Sequence, residues 1–423
     1  MPAKNPDPVI ARPTLLLVLL GLAGPASAAE PAGPGLLEAV GRAPQLQAAA
    51  RRIEAAQART GAAGRLADPE VEAMGSRVNA DAMGENRDMW ELSVRQPLPK
   101  RGERAADLAR ATAAVGLAEA DFALTAGDLA AEVALALAEA DGADARVALL
   151  EIQIPRLQAA LQSIDARLAA GLTPQIADRL AFQNRLAGMQ LELEQLRRLA
   201  ADQRALARGR LGLAPEAPLP AFAAPEVSEI DAADAATVAV ARARIAEADA
   251  MGKMARAGAN PMTSVGLRFE RERSSMGNQD TVGLAVSSEI PWRTRRYARA
   301  EVRAAEADRA AATADAEAAR HRIAAAVSRV ARAERVAAAA RQLSAGTQAR
   351  LDAEHEALSR SLGATRHGGG MAGDSAVLHA VDILDRSTAL QIQILEAETS
   401  ARTARAELWR YLPPRRLLPS VQN

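Results

Sequence analysis

Cysteine is absent from the 423-residue chain, which excludes disulfides, thiolate metal sites and a lipid-modified N-terminal cysteine. Aromatic residues make up only 2%, too few for the core of an ordinary compact enzyme, whose interior relies on large rings. Neither sign of charge dominates, with Lys+Arg and Asp+Glu at 52 each, so no basic excess draws the chain toward nucleic acid. Long apolar runs are missing too, except for one short stretch at the N-terminus. There Lys4 and Arg12 precede Leu15 to Ala23, followed by Ala26-Ser27-Ala28. A charged region, a short apolar region and an A-x-A site predict an export signal over residues 1–28. The rival reading, a spanning anchor, needs roughly 20 apolar residues, about twice the number present. Any membrane entry elsewhere would have to be as a β-barrel. Catalytic signatures are also absent: there is no Walker loop, G-x-S-x-G or H-E-x-x-H. The four histidines, His321, His355, His367 and His379, form no i,i+4 ligand pair. Neither an enzyme nor a cofactor is expected.

What the chain has in abundance is alanine, roughly a quarter of all residues, which favours helix. Two windows, Gly84 to Arg104 and Asn260 to Leu284, contain none. They occupy matching places. Asp68-Pro69 recurs as Asn260-Pro261 and Leu98-Pro99 as Ile290-Pro291, both 192 positions on. Ala170-Gly171 recurs as Ala372-Gly373 at 202, so the second copy has gained about ten residues, placed at Gly363 to Met371. The chain is an internal duplication. Its predicted parts are a first repeat (29–213), a Pro- and Ala-rich linker running extended over the surface (214–234), a second repeat (235–412) and a poorly ordered tail (413–423).

Each alanine-poor window reads as two strands. Trp90 to Gln96, Val265 to Glu270 and Val282 to Ser287 alternate apolar with polar or small residues, and Val71 to Val78 does so more weakly. Period two over about ten residues suits a transmembrane strand. It equally suits a soluble sheet with one wet face. The remainder is helix. From Gly102 to Ala169, apolar or small residues recur at sevens: Leu108, Val115, Phe122, Leu129, Ala136, Ala143, Leu150, Leu157 and Ile164. Such a heptad imposes left-handed supercoiling on a helix roughly 100 Å long. Pro155 should kink it. A return helix over Pro174 to Leu211 and an N-terminal helix over Leu36 to Leu66 would stack end to end to match its length. Thr294 onward repeats the scheme.

Strand pair, very long helix, glycine turn and return helix, twice over behind a signal, resemble the TolC-like outer-membrane factor family. The most specific pieces are Ser93 to Arg104 at the first strand-to-helix junction and Val286 to Arg293 at its repeat. These junctions are most similar to the CzcC-like branch, the outlet of heavy-metal cation efflux. The resemblance implies a mainly α fold with a small β part: long coiled hairpins building a trimeric α-barrel, and four strands per protomer in a 12-stranded transmembrane barrel. It also implies a homotrimer in outer-membrane lipid, reaching into the periplasm, with a periplasmic adaptor and a proton-driven inner-membrane pump of the resistance-nodulation-division type as partners. Organic drugs or a secreted protein are alternative cargoes for the same duct. A soluble periplasmic coiled-coil scaffold is the rival from another class, and nucleic acid is no partner.

The same resemblance supplies candidate sites. Gly171, Leu172, Gly373 and Asp374 would form the adaptor-docking tips. His379 and Asp382 take the positions where similar proteins carry a cation-sensitive constriction, with Asp178 and Arg179 as part of an interprotomer latch. His379 and Asp382 lie three apart, on one helix face, and threefold symmetry would make rings of imidazoles and carboxylates. Both groups are plausible transition-metal ligands. A solvated pair on a wall is the plainer reading, as is exposed charge at a helix start for Asp178 and Arg179. Glu91, Arg95, Arg268 and Glu289 are expected on strands lining a pore.

Overall fold

A computed structural model describes residues 35–78, 87–169, 176–274, 277–364 and 372–417. The predicted export signal (1–28) lies outside them, as do the loop histidine His367 and the first tip, Gly171 and Leu172. The first repeat comprises α1 (Leu36–Gly41), α2 (Pro44–Ala62), β1 (Glu70–Val78), β2 (Arg87–Leu98), α3 (Glu103–Ala169) and α4 (Ile176–Leu211). The second comprises α5 (Ala236–Gly258), β3 (Thr263–Ser274), β4 (Gly277–Ser288), α6 (Thr294–Ala364) and α7 (Ala372–Ala406), closed by a short α8 (Pro414–Leu417).

Two helices set the scale. α3 has 67 residues and α6 has 71, roughly 100 Å each at 1.5 Å per residue. Toward the sheet, α2 packs on α3, α3 on α5 and α5 on α6; away from it, α4 packs on α3, α3 on α7 and α7 on α6. The chain is thus a wall four helices wide at both levels. Only α3 and α6 run its whole length. The heptad of α3 marks its buried seam: Phe122, Leu129, Ala136, Ala143, Leu150, Leu157 and Ile164 are buried, while Leu108, next to the sheet, is exposed.

The shorter helices meet head to tail. Gly212, just beyond α4, adopts φ +67°, and a Cβ there would lie 2.7 Å from the Pro44 ring that opens α2. Only glycine allows both the left-handed turn and that approach. In the second repeat the Ala236 N–H at the start of α5 donates to the Leu412 carbonyl at 3.1 Å, just past the end of α7. Around these two joints lies the largest core, holding Val40, Leu46, Phe122, Leu129, Leu211 and Trp409 among others.

Two expectations, the single N-terminal helix and the poorly ordered tail, need correction. The helix expected over Leu36 to Leu66 is two, because Pro44 lacks the N–H to continue α1 and instead opens α2. Pro155 lies inside α3, which continues past it, with Ile154 and Leu157 buried on either side. The linker is irregular and largely exposed, but it is pinned at a few points. Pro220 and Pro225 are buried, Phe222 packs against the main core, and the Ala223 carbonyl accepts the Trp409 indole N–H at 2.9 Å. Of the tail, residues 413–417 are described, and they dock through buried Leu417, which packs beside Gly127 of α3.

Near the sheet, the Asp107 carboxylate accepts the Gly64 N–H at 2.8 Å, tying the end of α2 to α3. That backbone donor, with help from Arg110, holds the Asp107 carboxyl below the usual carboxylate range. A depressed folded-state pKa stabilises above the unfolded value and is lost as pH falls through the folded one. Asp107→Asn is therefore expected to lower stability near neutral pH by roughly 1 kcal/mol. The deficit should shrink toward zero in acid, and thermal melts of both chains across pH 3 to 7 check it.

Candidate functional site

The four strands form one antiparallel sheet in the order β1-β2-β3-β4. Its register places Val71, Val94, Leu267 and Leu284 in one row and Ala73, Leu92, Phe269 and Val282 in the next. Side chains opposite one another share a face, so most of the large apolar strand residues collect on one side, with Met74, Val78 and Met89 on the other. That side is uncovered: Val282 is 73% exposed and Leu284 77%. The band runs from the row of Leu98 to the row of Trp90, about 27 Å of strand at 3.4 Å per residue. It ends where ion pairs begin, Arg271–Asp280 and Arg77–Asp88, both at 2.7 Å.

The opposite face is ionic. Glu91 and Glu270 are direct cross-strand partners, a repulsive arrangement by itself. Arg268 relieves it by reaching Glu91 at 2.8 Å and Glu270 at 3.5 Å. Arg95 pairs diagonally with Glu72, and Arg87 with Glu272 at 3.4 Å. Five carboxylates (Glu70, Glu72, Glu91, Glu270, Glu272) face three guanidiniums (Arg87, Arg95, Arg268), leaving this face net negative by two. Glu91, Arg95 and Arg268 thus share one face. Glu289 does not join them: β4 ends at Ser288, the Glu289 N–H bonds the Met262 carbonyl at 2.9 Å, and its carboxylate lies 4.0 Å from Lys100 at the sheet's base. The residues the sequence reading missed, Glu72, Glu270 and Glu272, are those that only the register brings opposite the arginines.

At the far end of the wall, Arg179 of α4 binds Asp165 of α3 at 2.6 Å, a pair within the hairpin. Asp178 sits beside it on α4, and its side chain lies outside the described residues. On α7, Asp382 is exposed while Ile383 is buried. The Asp382 carboxylate is held by Arg386 one turn on, at 2.6 Å. His379 lies on the same helix, its side chain outside the described residues. Gly373 and Asp374 stand in the first turn of α7. A contact that the sequence did not suggest joins the repeats, Arg185 of α4 to Asp385 of α7 at 3.2 Å. Among the described residues no three His, Asp or Glu side chains converge as a metal site, and no helix is long and apolar enough to cross a membrane.

Residues 36–208 match the profile of the family described as outer membrane efflux protein. No curated protein matches the chain in sequence. Its fold is shared with solved structures along nearly its whole length. A membrane protein from Pseudomonas aeruginosa superposes with a TM-score of 0.69 at 21% identity, over 89% of each chain. The outer-membrane channel OprN gives 0.66 at 20% identity, over 89% of this chain and 88% of that one. The outer membrane protein VceC from Vibrio cholerae gives 0.65 at 16%, over 88% and 94%. The sheet carried on a long helical wall is thus a fold this chain shares with these membrane proteins, and residues 36–208, most of its first repeat, match the outer membrane efflux protein family.

Proposed function

We propose that the chain is an outer-membrane exit duct that extends into the periplasm. The observation that carries this is the two-faced sheet. An uncovered apolar band of membrane height suits lipid, and a net-negative ionic face suits an aqueous lumen. Four strands leave the outer edges of β1 and β4 unpaired, and open edges are prohibitive in hydrocarbon. Three copies supply twelve strands and close the ring, so the active form is a homotrimer. The helical walls then join into a tube, and passage is diffusion through water with no cofactor. At the tips, Asp382 with His379 forms the narrowest ring, Asp178 and Arg179 flank the closed end, and Gly171, Leu172, Gly373 and Asp374 receive a periplasmic adaptor. The driving energy comes from an inner-membrane proton-driven pump. The cargo is heavy-metal cations, supported by the junction sequences and by the negative strand face.

Conductance in planar bilayers tests the duct. Purified protein should open pores that prefer cations, and Glu91→Gln with Glu272→Gln should lower the cation-to-anion permeability ratio by several-fold. Complete release from membranes by high salt or alkali, without detergent, would refute the duct and favour a scaffold. Cargo is tested by growth of a strain lacking the chain. Sensitivity to zinc, cobalt or cadmium supports the cation reading, whereas sensitivity to dyes and antibiotics alone overturns it and leaves the duct standing.

A further inference from the structure

The junction below β4 carries a charge imbalance that a passive duct does not require. Residues 293–303 hold Arg293, Arg295, Arg296, Arg299 and Arg303 against the single acid Glu301, in a chain whose charges otherwise balance. Arg295 and Arg296 stand in the first turn of α6, where the positive end of the helix dipole disfavours cations. Its counterpart α3 opens conventionally on Glu103, whose carboxylate accepts the Lys100 N–H at 2.7 Å. α6 has no acid in its first turn. Among the described residues none of the five arginines meets a carboxylate. The ion pairs between α5 and α6 start lower, with Arg256–Glu306 at 3.6 Å and Arg309–Asp249 at 3.4 Å.

These guanidiniums have somewhere to act. Arg295, Arg299 and Arg303, with Arg256 of α5, rim an open groove of about 730 Å³ floored by Ala298 and Val302. Ile290 and Trp292 lie between the end of β4 and the start of α6, and Tyr297 stands in the first turns of α6; Trp292 is 80% and Tyr297 68% exposed. Exposed tryptophan and tyrosine beside an apolar band mark the level of lipid headgroups. Basic residues just beyond that level attract anionic lipid at about 1 kcal/mol each. A neighbouring copy does not account for the cluster. The free edge of α6 would face the neighbour's α2, and residues 44–69 carry Arg51, Arg52, Arg59 and Arg65 against only Glu54 and Asp68.

We propose that the α6 collar and its groove bind the phosphate headgroups of anionic phospholipids at the periplasmic boundary of the membrane. The proposal rests on the reading that the sheet crosses a bilayer. Native mass spectrometry of the full chain in mild detergent tests it, with phosphatidylglycerol or phosphatidylcholine added. The wild type should retain phosphatidylglycerol with at least about a tenfold preference. The combined variant Arg295→Gln, Arg299→Gln, Arg303→Gln should lose that preference while fractionating with membranes as before. Equal retention by the variant, or no preference in the wild type, overturns the proposal. So does displacement of the lipid by inorganic phosphate alone, which would make the ligand a free ion, or a smaller assembly in the variant, which would make the collar a subunit interface. Chains that need no detergent at all would instead refute the membrane reading itself, a separate failure.

Discussion

Leu284→Arg is expected to keep the chain out of the bilayer. Leu284 stands at mid-height of the apolar band, opposite Leu267 and 77% exposed, so little beyond its cross-strand contact with Leu267 is lost when it is replaced by a long polar side chain. A guanidinium at the midplane of a barrel's lipid face costs about 2–4 kcal/mol. At 1.4 kcal/mol per factor of ten, that is a factor of about 30 or more for each protomer. Threefold closure would apply the penalty three times. Thr281→Arg, on the other face beside Glu270, supplies the same charge to the ionic ladder and should insert normally. Extraction by urea versus detergent reads both. Equal behaviour of the two variants would sink the assignment of faces, because a soluble sheet has no reason to distinguish them.

Gly142→Val is expected to pry α3 from α7. Gly142 lies in the middle of α3, where glycine costs roughly 1 kcal/mol relative to alanine, so its presence needs a packing reason. The reason is Thr399 of α7, whose side chain occupies the space a Cβ at 142 would fill, and which is anchored by donating its hydroxyl to the Leu395 carbonyl at 2.7 Å. Arg402 one turn on binds Asp141 at 2.5 Å, so the valine would strain that pair as well. Overpacking of this kind typically costs about 1–3 kcal/mol, and the melting temperature should fall by several degrees. Thr399→Gly should recover most of the loss in the double variant, whereas distant damage would simply add. Absence of rescue would show that the helices do not meet at Gly142.

Much of this architecture can be read from the chain because its periods are clean. The sevens from Phe122 to Ile164 name a buried seam correctly, since in a long helix a fixed period keeps one stripe facing its neighbours. Alternation from Val282 to Val286 likewise names the bare face of β4. The failures occur where a period stops. Glu289 continues the alternation by one residue, but the strand has already ended before Pro291, so its side chain leaves the ladder. Pro44 and Pro155 are the same residue type with opposite outcomes. The first opens a new helix at a joint, and the second is carried through by buried neighbours. Pairs such as Arg185–Asp385 or Arg87–Glu272 join residues roughly two hundred positions apart. No local pattern encodes them, because they arise only when the two repeats are laid side by side.

The alanine-lined seams bear on how such a wall can be assembled at all. Ala123, Ala126, Ala130, Ala131, Ala134 and Ala138 are buried in succession along α3, and burying alanine sacrifices no rotamer freedom. A wall of this composition orders a very long surface at little side-chain entropy, but each methyl also contributes little apolar area. Its unfolding should therefore show a small heat-capacity change per residue. Cohesion between copies, more than any one interior, would then determine its resistance to heat.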